Sequence, residues 1–95
     1  MYNRPYTHPG EILLEEFVKP YGLTQKQLCE RLGVGIKTIS EIYNKKRGIS
    51  PVMAFKLANL FGTTAEFWLN AQCCYDLYVT YEKEKENIDK VKKIA

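Results

Sequence analysis

Apolar residues recur every three or four positions along most of the chain, and no stretch alternates in the two-residue rhythm of a β-strand. The pattern therefore predicts an all-α fold. Five helices are expected, with bounds at about Pro9 to Lys19, Gln25 to Leu32, Ile36 to Lys45 and Pro51 to Phe61, and from near Ala65 to beyond Tyr78.

The predicted helix ends carry their own local signals. Pro20 and Gly22 are expected to stop the first helix. Thr24 is followed three residues later by a glutamine, which is the spacing of a capping box, and Gly33 is a typical left-handed stop. The second and third helices should therefore be joined by a tight glycine turn.

The fifth helix carries two apolar stripes, and either Thr63 or Thr64 is expected to cap its start. The first stripe should pack on the protein's own core and comprises Trp68, Ala71, Tyr75 and Tyr78. The second has no obvious partner in so short a chain and comprises Leu69, Cys73, Leu77 and Tyr81. We expect this second stripe to form a two-fold dimer interface; packing under the C-terminal tail, or against a different protein, is the alternative.

Residues 82–95 are rich in charge and have only a weak apolar stripe, so a frayed helix is expected there. A length of 95 residues and a hydrophobic fraction of 45% suit one compact domain with a core. Residues 1–81 are interpreted as that domain, including the fifth helix, and residues 82–95 as its charged tail.

Composition also argues against several classes of protein. No apolar run is long enough for a transmembrane helix, and the N-terminus does not resemble a secretory signal, so a cytoplasmic location is expected. Of the three cysteines two are adjacent, which is a poor disulfide framework, and no metal or cofactor motif is present. Cys29 and Cys73 are interpreted as small buried side chains.

Candidate catalytic residues are few. His8 stands at a predicted helix start without a neighbouring nucleophile, so we interpret it as structural and an enzyme as a remote alternative. Phe67 and Trp68 could stack on a ligand, but at helical spacing with other apolar residues they are expected in the core.

Charge is distributed unevenly. The net charge is only +3, but the segment from Thr24 to Arg47 holds six basic and two acidic residues, which suits a polyanionic partner. With Ile39 facing inward, Lys37 lies on the opposite face of the third helix. The pattern indicates a helix-turn-helix, in which the second helix braces the third in the major groove of DNA. The alternative is a helical bundle whose charges are simply solvated.

Several blocks of sequence resemble the HigA branch of the Xre-type, lambda-repressor-like helix-turn-helix family. The resemblance covers about Thr7 to Tyr78. It is carried by His8–Leu13, Gly22–Gln25, Leu32–Val34, Lys37–Ile42, Arg47–Pro51, Phe61–Thr64, Glu66–Asn70 and Tyr75–Leu77.

The resemblance implies a five-helix domain with an extended C-terminal helix, which dimerises and binds an operator in its own promoter. It also implies a protein partner, a HigB-type toxin that cleaves mRNA and is neutralised by direct binding. The family's DNA-contacting positions correspond here to Thr24, Gln25, Gly35, Ile36, Lys37, Thr38, Ser40, Asn44, Lys45, Lys46 and Arg47. A stand-alone repressor without a toxin, and an inhibitory protein that has lost DNA binding, remain alternatives.

The chain departs from its relatives at the start of the third helix, where serine and arginine are usual and this chain has Gly35 and Ile36. Ile36 cannot donate a hydrogen bond to guanine, although it could touch a thymine methyl group. Glu41 adds a negative charge to the same face; it is expected either to accept from a cytosine amine or to hold Lys37 or Lys45 in place.

Overall fold

The computed structural model describes residues 6–94, which form helices and no strands. Helix α1 runs without a break through three segments, Pro9–Ile12, Leu13–Val18 and Lys19–Tyr21. The others are α2 (Gln25–Leu32), α3 (Ile36–Tyr43), α4 (Pro51–Phe61) and α5 (Ala65–Asp89). The predicted all-α architecture is confirmed, with α2 and α4 at the expected bounds.

The core lies where α1 to α4 meet the first turns of α5. Its largest fully buried side chains include Leu13, Leu28, Ile39, Leu57 and Trp68, each less than 2% exposed. Trp68 donates its indole N–H to the Thr63 hydroxyl at 2.8 Å, so its polar edge is satisfied inside the protein. Burial of Trp68 thus fixes the start of α5 against the other helices.

Two side chains expected inside are more accessible. Phe67 is 42% exposed, because it lies beside Trp68 on the outer side of the helix and contacts it edge-on at 5.1 Å. Cys73 is exposed, since the core ends one turn earlier along α5, whereas Cys29 is buried as expected.

The expectation that Pro20 stops α1 is wrong. Residues Leu13–Val18 wind as a π-helix, in which the Lys19 N–H bonds to the Leu14 carbonyl five residues back. Proline has no N–H to donate to a helix hydrogen bond. The π-helical turn before Pro20 already lacks the usual hydrogen bonds between residues four apart, so the helix continues through Pro20. It ends at Gly22, which has a φ of 69°.

The C-terminal helix is more regular than a frayed tail. Helix α5 extends through Asp89, with one non-helical residue at Glu84 (φ −113°, ψ 16°). Its N-cap is Thr64, whose hydroxyl accepts from the Phe67 N–H at 3.1 Å. That contact decides between the two threonines, since the Thr63 hydroxyl is used by Trp68.

Helix α1 approaches the end of α3 very closely at Gly10. A Cβ atom on Gly10 would collide with the carbonyl oxygen of Ile42 and lie 2.9 Å from its carbonyl carbon. Gly10 is therefore needed for backbone-to-backbone packing of these two helices.

His8 caps α1 from a buried position, only 2% exposed. Its Nδ1 accepts from the Gly10 N–H at 2.9 Å, and its ring meets Tyr75 edge-on at 4.8 Å. Burial, and after it the charge of Lys45, lowers the pKa of His8 from 6.5, against an opposing effect of Asp76. The imidazole is therefore held neutral, as a structural cap.

We expect stability to be pH-dependent through His8. The unfolded chain takes up a proton below about pH 6.5 while the folded His8 stays neutral, so this contribution is complete above that pH and is lost as the pH falls towards the lowered folded pKa. Urea unfolding at pH 7.5 and pH 5 should show a loss of unfolding free energy. In His8→Asn, whose amide oxygen can cap without titrating, the loss should be smaller; equal losses would contradict the assignment.

Candidate nucleic-acid interface

Helices α2 and α3 form a helix-turn-helix. Their connection is residues 33–35, where Gly33 has a φ of 69° and the Val34 N–H bonds back to the Cys29 carbonyl at 3.1 Å. This closes α2 and redirects the chain into α3, whose Ile39 and Ile42 are buried. The inward face expected of α3 is therefore confirmed.

The start of α2 is held by hydrogen bonds within its own first turn and by one hydrogen bond to α3. The Thr24 hydroxyl accepts from the Gln27 N–H at 3.1 Å, and the Gln27 side chain accepts from the Thr24 N–H at 2.9 Å, which completes the expected capping box. The Gln25 amide donates to the Ile36 carbonyl at 3.5 Å. Gly35 caps α3 without any side-chain bond.

The outer face of α3 presents a mixed surface to solvent. Ile36 is 57% exposed and Lys37 is exposed, while Thr38 and Ser40 are half-buried beside them. Asn44 follows the last turn and donates to the Ser40 hydroxyl at 3.4 Å. These side chains form one continuous outward face.

Helix α3 ends at Tyr43, two residues before the expected limit at Lys45. Lys45 adopts a φ of 63°, its N–H bonds to the Ile42 carbonyl at 3.2 Å, and the Lys46 N–H bonds to the Glu41 carbonyl at 2.8 Å. This is the Schellman arrangement that a glycine usually makes. Because a lysine occupies the position that usually holds glycine, no residue type there signals the end of the helix.

The turn brings Arg47 back onto α3. Its Nε and Nη2 atoms donate to one carboxylate oxygen of Glu41 at 3.0 and 2.8 Å. That hydrogen bond lowers the pKa of Glu41. The expectation that Glu41 holds Lys37 or Lys45 is therefore wrong: residue 47 comes back beside Glu41 because the chain reverses at Lys45.

The four residues expected at a dimer interface lie along one side of α5. Leu69 packs partly against the core, Cys73 is exposed, Leu77 is 41% exposed, and the Tyr81 hydroxyl donates to Asp89 at 3.2 Å. A shallow, mainly apolar groove runs along this side and is lined by Leu69, Gln72, Cys73, Asp76, Leu77 and Thr80.

One contact near the interface has no counterpart in the sequence pattern. Gln72 on α5 accepts from the Ile49 N–H at 2.8 Å, although the two residues are far apart in sequence. Its amide nitrogen donates to Asp76 at 2.9 Å. A glutamine and an aspartate four residues apart are ordinary on a helix surface, so no sequence signal marks them.

Within residues 6–94, no three His, Cys, Asp or Glu side chains gather where a metal could be held. None of the helices described above has the length and apolar character required to cross a bilayer.

Comparison with known proteins agrees with this geometry. A family model described as helix-turn-helix matches residues 14–68. Virulence-associated protein I of Dichelobacter nodosus is 44% identical over 85 residues, covering 90% of this chain and 78% of that protein. Antitoxin HigA-1 of Vibrio cholerae is 43% identical over 83 residues, covering 87% and 78%.

Among solved structures, the Pseudomonas aeruginosa antitoxin HigA with the higBA promoter has a TM-score of 0.89 to this chain at 35% identity, and the match covers 97% of this chain and all of that one. The chain therefore belongs to the helix-turn-helix family and, within it, to the HigA-type antitoxins.

Proposed function

We propose that this protein is a sequence-specific DNA-binding antitoxin that represses its own operon as a dimer and neutralises a HigB-type, mRNA-cleaving toxin. The observation that carries the proposal is the match, over nearly the whole chain, to an antitoxin structure solved with its promoter. Its role is one of binding rather than catalysis, and it acts in the cytoplasm, where its DNA is found.

The proposed DNA surface combines a helix for the major groove with cations for the phosphates. On α3 the candidates for base contact are Gly35, Ile36, Lys37, Thr38 and Ser40. The flanking candidates for phosphate contact are Thr24, Gln25, Asn44, Lys45, Lys46 and Arg47. Support comes from the exposure of Lys37 on α3 and of Lys45 and Lys46 in the turn that follows it.

Operator binding should depend steeply on salt. If each protomer neutralises about three or four phosphates, the slope of log affinity against log salt should be about −5 to −7 for the dimer. Lys46→Ala should weaken binding to operator and unrelated DNA alike, whereas Lys37→Ala should change the preference between sequences. Mobility-shift titrations at several salt concentrations measure both effects, and an affinity independent of salt would refute the DNA surface.

The toxin is expected to bind directly. Co-expression with a HigB-type toxin encoded in the same operon should restore growth of cells that the toxin inhibits, and the two chains should purify together. A variant with Lys37→Ala and Arg47→Ala should still restore growth, because neutralisation needs the protein contact and not the DNA. A chain that binds the operator but purifies without any toxin would instead be a stand-alone repressor.

A further inference from the structure

Gln72 connects α5 to the loop that follows α3. Its side-chain oxygen accepts from the Ile49 N–H at 2.8 Å, and Ile49 itself is only 5% exposed. The exposed cations Lys45, Lys46 and Arg47 lie just before this anchored residue. The Gln72 bond thus fixes the loop at Ile49, directly before Ser50, the residue that caps α4.

The loop is also shaped to admit the Gln72 amide. A Cβ atom on Gly48 would lie 2.9 to 3.0 Å from the three terminal atoms of the Gln72 side chain, closer than such contacts occur. Asp76, one turn further along α5, accepts from the other end of the amide at 2.9 Å and sets which way it points. Gly48, Gln72 and Asp76 therefore act together on the backbone of residue 49.

We infer that Gln72, oriented by Asp76, is a positioning residue for DNA binding. It holds the loop that carries Lys45, Lys46 and Arg47 in the position from which these cations contact the phosphate backbone. This inference rests on the proposed function. It goes beyond that function because it makes DNA affinity depend on a side chain of α5. This side chain lies outside the helix-turn-helix and lines the apolar groove of α5 rather than the proposed DNA surface.

The charge pattern of the pair offers a specific test. Gln72→Glu keeps an oxygen for the Ile49 N–H but places two carboxylates against each other, so it should disturb the loop. Adding Asp76→Asn supplies a donor to the new carboxylate and restores both hydrogen bonds with the direction of the second reversed. Recovery of DNA binding in this double variant would distinguish a positioning role of the Gln72 hydrogen bonds from a general role of its side chain in packing.

Gln72→Leu and Gln72→Glu should each weaken operator binding about tenfold, since one hydrogen bond is lost in each protomer. The Gln72→Glu, Asp76→Asn double variant should recover to within about threefold of the wild type. Gly48→Ala should resemble Gln72→Leu, and the two together should be no worse than either alone. Asn70→Leu, which alters an exposed amide on the same helix, is the matched control and should bind normally.

Affinities are compared at concentrations where sedimentation shows the same oligomeric state for each variant. Hydrogen exchange at the Ile49 amide, measured without DNA, should be faster in Gln72→Leu than in the wild type. In the Gln72→Glu, Asp76→Asn double variant its rate should return towards that of the wild type. Wild-type DNA affinity in Gln72→Leu, or no recovery of DNA affinity in the double variant, would overturn the inference. A wild-type protein that does not bind DNA would refute the proposed function, and with it the inference, even if the Ile49 amide responds as described.

Discussion

Replacing Gly10 with alanine is expected to lower the free energy of unfolding by about 3 kcal/mol, at the upper end of the usual cost of overpacking. The added Cβ would collide with the carbonyl oxygen of Ile42. Both partners in this collision are backbone, so no side-chain rotation can relieve it, and α1 must move away from α3. Urea denaturation followed by circular dichroism measures the effect.

Gly35→Ala is the matched control. An added Cβ there meets nothing within 4 Å, and the φ of −80° suits any residue. Its unfolding free energy should change by no more than about 1 kcal/mol, the scale of a changed N-cap. Gly22, Gly33 and Gly62 are unsuitable as controls because each has a positive φ. Equal stability of the Gly10 and Gly35 variants would mean that α1 and α3 are not in the close contact described here.

Leu77→Glu is expected to convert the proposed dimer into monomers and to weaken operator binding at least a hundredfold. Leu77 lies in the apolar groove of α5, and a carboxylate buried against its symmetry copy would be left without a partner. One helix-turn-helix contacts only a few base pairs, so specificity requires two copies held about 34 Å apart along the DNA. Sedimentation and mobility-shift titration of the same samples report both consequences.

The control for this variant is Ile88→Glu. Ile88 is 42% exposed and Leu77 is 41% exposed, and both lie on α5, but only Leu77 lines the groove. Ile88→Glu should remain dimeric and bind the operator normally. A wild-type protein that is monomeric at micromolar concentration, or a Leu77→Glu variant that still dimerises, would exclude this face as the interface.

The helix bounds that the sequence predicted correctly are those with signals at both ends. For α4, Ser50 and Pro51 precede the apolar stripe and Gly62 follows it, and each has the expected local role. The end of α3 was missed because Lys45 takes the conformation of a glycine. For α1 the expected stop at Gly22 is confirmed, but the bound at Lys19 was two residues early because a π-helix, which the period of apolar residues does not reveal, precedes Pro20.

The exposed residues of the DNA surface could be predicted from periodicity, since it separates the inner and outer faces of α3. The side-chain pairs could not. The bond between Arg47 and Glu41 depends on the chain reversal at Lys45, and the bond between Gln72 and Ile49 depends on how α5 lies beside the loop. Both follow from backbone conformation outside the helices, where no periodicity operates.

The left-handed conformation of Lys45 has a consequence for the lifetime of the protein. Such a conformation costs a residue with a Cβ roughly 1–2 kcal/mol, and that cost raises the unfolded fraction by a factor of roughly 5–30. Proteases act mainly on unfolded chains, so the steady-state abundance of a small protein falls as its unfolded fraction rises. Compared with a glycine at this position, the lysine proposed to contact phosphate is therefore expected to shorten the time for which each copy survives in the cell.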